Sequence, residues 1–164
     1  MTSAAEFRRL FDYEQDAHRR TLASLDTAQP DHGQDADFRK AVDLAAHIAT
    51  CRNMWLARLQ GSGAVPPTLF PEGLALADVD RLFDETHRAW TAYLQALGDT
   101  EVDRGFQYVA YDGRRFADTV RNVLTQLFAH SSYHRGQIAL LLRRIGAEPA
   151  VTDFVFWTRR PIDG

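Results

Sequence analysis

The chain has 164 residues, a formal net charge of -3 and a pI near 6.0, long enough to bury a core without disulfide staples and too acidic to attract nucleic acid by charge. With 45% hydrophobic and 25% charged residues it has the composition of a soluble globular domain, and the expectation is one domain over 1–164. Of its 19 basic residues only Lys40 is a lysine, and the arginines are spread along the chain, which excludes a basic binding stripe.

The N-terminus, MTSAAEFRRLFDYEQ, carries charges where a secretory signal would need an apolar core. Apolar side chains at Phe7, Leu10, Phe11, Ala17, Leu22 and Leu25 recur at steps of three and four and predict a helix over 3–27, ended by the breakers in QPDHGQD. A second helix is expected from about Asp37 to Leu59, with Leu44, Ile48, Trp55 and Leu59 on its apolar stripe. Within it lies Cys51, the lone cysteine, which excludes an intramolecular disulfide and suits a reducing cytoplasm. The stretch GSGAVPPTLFPEG, 61–73, must be a long crossing loop. Asp78 is the expected N-cap of a third helix that carries Leu82, Trp90, Tyr93 and Leu97 and stops at Gly98. In RGFQYVAYDGRRF, Phe106, Tyr108 and Ala110 alternate with Gln107 and Val109, and Asp112-Gly113 predicts a hairpin closed by a type I′ turn. The last long helix is expected from near Asp118 to Gly146, followed by the aromatic tail VTDFVFWTRR. No apolar run approaches the roughly 18 residues of a membrane span. The fold class read from this pattern is all-α, a four-helix bundle with a short β-hairpin before the last helix.

Chemistry concentrates in the last helix. Its stripe of Val120, Val123, Leu124, Leu127, Ser131, Ile138, Leu141 and Ile145 is bordered by His130, His134 and Gln137. Two imidazoles four residues apart on a helix can reach one ion, and an ion satisfies one nitrogen of each ring at once. Six histidines in this length give about 0.2 such pairs by chance, so the spacing alone is weak. His47, one position from the stripe of the second helix, is a candidate third ligand, and three imidazoles with open positions form a catalytic coordination set. Glu14 and His18 follow helical steps on the first helix and are candidates for an outer shell or for substrate binding, against the plainer reading of a locally paired Glu–His. His32 is read as solvated, and His87 as either exposed or packed. Trp55, Trp90 and Tyr133 are candidate pocket aromatics. Arg135 is a candidate anion-holding group, though an exposed position on the helix face is the expectation. Glu-x-x-His pairs for a di-iron bundle, a GxSxG elbow, phosphate loops and dinucleotide fingerprints are all absent.

These residues resemble those of the DinB family of bacterial four-helix-bundle metalloproteins. The resemblance rests on His47 followed by Trp55, the hairpin glycine Gly113, HSSYHRGQ at 130–137, the Gly146 stop and Asp153-Phe-Val-Phe in the tail. It implies that His47, His130 and His134 bind one divalent metal ion, nickel or zinc, with iron or manganese as alternatives. Gln126 stands one turn before His130, where many relatives have another polar residue or histidine. The resemblance further implies a homodimer and a metal-dependent transferase or hydrolase, in which a low-molecular-weight thiol attacks an electrophilic small molecule. The alternative is a non-catalytic metal- or small-ligand-binding stress-response protein. Neither reading involves nucleic acid or a membrane.

Overall fold

The computed structural model describes residues 3–162. Four long helices, α1 (Ala4–His32), α2 (Ala36–Gln60), α3 (Leu76–Ala96) and α5 (Val120–Arg144), form the bundle. Between the last two lie a single turn, α4 (Asp99–Val102), and a hairpin of β1 (Gly105–Val109) and β2 (Arg115–Thr119); a short α6 (Phe154–Thr158) follows. No helix among the described residues is long and apolar enough to cross a membrane.

The helix ends show where local signals were outvoted. α1 opens on a capping box: the Ser3 hydroxyl accepts from the Glu6 N–H, and the Ser3 N–H donates to the Glu6 carboxylate. It then runs through Pro30 to His32, past the expected stop. Proline's φ suits a helix, and in the last turn its missing N–H deprives only the carbonyl of exposed Asp26. Helix α3 begins at Leu76, with Ala75 and not Asp78 at the N-cap, because buried Leu76 and Val79 draw the start inward. It ends at Ala96, before Gly98, which instead precedes α4. The hairpin turn also differs. Tyr111, Asp112 and Gly113 form a three-residue loop in which only Gly113 has positive φ, at 82°. That is a type I turn closed by a left-handed glycine, since type I′ would need Asp112 to be left-handed as well. Strand β2 continues to Thr119, which caps α5 through its hydroxyl at 3.2 Å from the Asn122 nitrogen.

Packing divides the interior into three levels. Leu25, Ala41, Ile48, Val79, Ile138 and Leu142 belong to one apolar cluster, and Phe7, Leu56, Trp90, Val120, Val123 and Leu127 to another. On every long helix a group of buried polar residues falls between these two sets: Glu14 and His18 on α1, Arg52 on α2, Thr86 and His87 on α3, Ser131 and Arg135 on α5, whereas buried His47 on α2 lies within the first set. Each fully buried aliphatic side chain contributes about 1.5–3 kcal/mol. The polar level must therefore satisfy its own hydrogen bonds or erode that gain.

Candidate metal centre

The apolar face that packs α2 against α5 brings His47 of α2 opposite His130 and His134 of α5. His130 Nε2 lies 3.1 Å from His47 Nε2 and 3.1 Å from His134 Nε2. One ligand atom from each of the three falls within 4.8 Å of the others, a group that can hold a metal ion.

The far side of two of the rings fixes which nitrogen carries the proton. His47 Nδ1 is 2.6 Å from the Leu69 carbonyl oxygen and so must carry the proton. His134 Nδ1 is 2.7 Å from Gln137 Oε1 and does the same. Both Nε2 atoms then present bare lone pairs to His130 Nε2, which can offer one proton to one of them at most. At least one pair of lone pairs is left facing each other at hydrogen-bond distance, and a cation at the common point resolves the conflict. The donor set fits a divalent ion: three imidazoles, two of them held by outer hydrogen bonds, with coordination positions left over. Burial, followed by the neighbouring His134 and His47, lowers the pKa of His130 to about 4. Burial also lowers His134, against the bond from Gln137. His130 and His134 thus favour the neutral form that a metal needs.

Phe70 stacks on His47 with ring centroids 4.4 Å apart. A cleft of about 410 Å³ opens beside His47 and His130, walled by Met54, Trp55, Arg58, Tyr108, Tyr111 and Gln126, among others. Cys51 lies in the same wall, its sulfur 3.6 Å from both ring nitrogens of His47. Burial pushes its thiol up to about 12, so it is a protonated neighbour at neutral pH.

Against this geometry the sequence candidates separate. Gln137 bonds His134, and Trp55 and Gln126 line the cleft. Tyr133 is 65% exposed and meets the His134 ring from outside. Trp90 is fully buried in the core, where its indole donates to the Arg52 carbonyl. Glu14 and His18 lie in the polar level of the bundle and are not brought to the trio: Glu14 pairs with Arg52 and Arg135, and His18 with His87. Arg135 is not on an exposed face; it is 4% exposed, because Glu14 and the Tyr13 hydroxyl bind it inside the bundle. His87 is packed against Phe11 and Phe83, and His32 bonds Asp35 at the end of α1. Sequence reasoning passed over Cys51, Arg58, Leu69, Phe70, Tyr108 and Tyr111. Cys51 had a signal, one turn beyond His47 on the same helix; the loop residues had none.

A family model, described as the DinB family, matches residues 1–161. The chain belongs to the DinB family. No match was found among curated proteins or among solved structures. The three-histidine group of this DinB chain joins α2, which runs into the crossing loop, to α5, which follows the hairpin, and both the loop and the hairpin border the cleft.

Proposed function

We propose that this DinB protein is a metal-dependent enzyme that holds one divalent ion, nickel or zinc before iron or manganese, through His47, His130 and His134. The observation that carries the reading is the convergence of three imidazole nitrogens, two of them forced to be bare, beside an open cleft. A divalent ion supplies Lewis acidity, bringing the pKa of a thiol or water that joins it toward neutrality. The chain's own part is to orient and to exclude. The Leu69 carbonyl and Gln137 lock two rings, and Met54, Trp55, Leu127 and Tyr108 keep much of the wall apolar. Among the described residues the cleft lining has no Asp or Glu to serve as a general base. That favours thiol-dependent S-transfer over hydrolysis, since a thiol needs only to ionise before attacking an electrophile. We set the reaction in the cytoplasm, where low-molecular-weight thiols are kept reduced. The alternative is a non-catalytic metal or small-ligand binder in a stress response.

Elemental analysis of protein purified without an affinity tag tests the reading: about one divalent ion per chain is expected. Alanine at His47, His130 or His134 should each strip the ion and leave the helical circular-dichroism spectrum. Retained full occupancy in all three variants would refute the assignment. A screen of a thiol with electrophiles then separates enzyme from binder. We also propose a two-fold homodimer. Tyr133 and Leu140 on α5, and Val151, Val155 and Phe156 in the tail, are all exposed apolar or aromatic groups that one bundle leaves uncovered. Sedimentation at micromolar concentration should give twice the chain mass; a persistent monomer would overturn this part.

A further inference from the structure

Arg58 stands in the cleft wall, about three turns of α2 beyond His47. Its guanidinium carbon lies 5.0 Å from the Trp55 ring centroid, 4.6 Å from Tyr108 and 5.7 Å from Tyr111. One terminal nitrogen donates to the Val109 carbonyl at 3.1 Å. Its Nε is buried and has no hydrogen-bond partner. The ionisable groups that bear on it are two phenols and the Cys51 thiol, and none is a carboxylate. This contrasts with Arg52 and Arg135, each paired with Glu14. Ring faces attract a cation but leave its in-plane N–H groups without acceptors. A half-buried guanidinium with spare donors, in an apolar cleft without acidic lining, is complementary to an anion.

We infer that Arg58, framed by Trp55, Tyr108 and Tyr111, is an anion subsite, and that the cleft takes an organic acid: its carboxylate pairs with Arg58 and its apolar body lies along the three rings. The cleft, about 410 Å³, is in the range that holds small organic ligands. That the acid's far end meets the reacting centre at the histidine trio rests on the proposed function; the subsite itself does not. The rival is a purely structural arginine that staples the hairpin to α2 through Val109. Such a residue would not distinguish a charged ligand from its neutral twin.

The test uses the intact chain, with metal content measured on the same sample, and compares 2-naphthoate with neutral 2-naphthamide by titration calorimetry and tryptophan fluorescence. One naphthoate per chain is expected, bound about tenfold more tightly than naphthamide, as for one charge-assisted hydrogen-bonded contact. Arg58→Gln should remove most of that preference and leave naphthamide affinity unchanged, and Arg58→Lys should keep part of it. If Arg58→Gln loses its helical spectrum, the lysine variant and the wild type carry the test, through a naphthoate preference that weakens with added salt. His130→Ala should lose metal and retain the Arg58-dependent preference. Equal binding of acid and amide, no binding of naphthoate, or a preference insensitive to salt would overturn the subsite. So would a preference that survives Arg58→Gln and vanishes in His130→Ala, because the ion alone would then hold the carboxylate. An Arg58-dependent preference in wild-type protein that carries no metal would establish the subsite and remove the metal reading.

Discussion

The bundle holds two clusters of histidine, and they resolve the burial of imidazole in opposite ways. In the polar level, donors and acceptors alternate. Arg135 donates to His18 Nε2 at 3.4 Å, and His18 Nδ1, 3.2 Å from His87 Nε2, can pass a proton on in the same direction. Two arginines supply the cations, and Glu14 accepts from both. At the trio of His47, His130 and His134 the outer bonds of His47 and His134 aim lone pairs inward, and among the described residues no hydrogen bond or ion pair from a cationic side chain answers them. The lesson is that buried histidine does not by itself mark a metal site. What marks it is a set of acceptors converging on a point where the chain has placed no donor for all of them.

That contrast can be broken by experiment. The largest effect should come from Glu14→Ala, which leaves two buried guanidinium groups without their shared carboxylate and should cost about 3–5 kcal/mol in urea unfolding. Metal content per folded chain should stay at one. Loss of metal without loss of stability would mean that Glu14 serves the trio after all.

The next effect concerns protons. Burial, then the neighbouring Arg52, lowers His87 to about 4 from the ordinary 6.5. The unfolded chain therefore binds the proton more readily than the folded one. The stability this histidine allows is fully present above about pH 6.5 and is lost as pH falls toward and through 4, by about 3 kcal/mol. In metal-free protein, His87→Phe should flatten part of that acid slope; an unchanged slope would show that His87 stays accessible to protons when folded. The smallest effect should be that of Gln137→Leu, which frees the His134 ring and should weaken metal binding about 10–100-fold with the fold intact. Unchanged affinity would mean that this outer bond does not orient the ring.

Much of this architecture was readable because it is written in local periodicity. Steps of three and four located the long helices, and His130 and His134 are neighbours on one of them. His47 was reachable as a third member because it borders the stripe of its own helix. What escaped was set by distant partners. Arg135 lies on the buried face with Ser131, Ile138 and Leu142, a position that its spacing declared. A charge there makes sense only once Glu14, on another helix, is known to meet it. Arg58 escaped for the same reason, since two of its three rings, Tyr108 and Tyr111, come from the hairpin. Pro30 and Asp78 misled in the other direction: proline is tolerated in the last turn of a helix, and the Asp78 cap signal was overridden by the burial of Leu76 and Val79.

The bond from His47 to the Leu69 carbonyl has a consequence for how this protein can vary over time. The crossing loop contributes to the centre through its main chain at that point, and every amino acid carries the same carbonyl group. Replacing the Leu69 side chain would leave the acceptor in place. Inserting or deleting a neighbouring residue would withdraw it. What this part of the centre requires is therefore the length and path of the loop, while the Leu69 side chain serves separately, as part of the cleft wall. The acceptor for His47 is thus set by where the loop's main chain runs and not by which side chain position 69 carries.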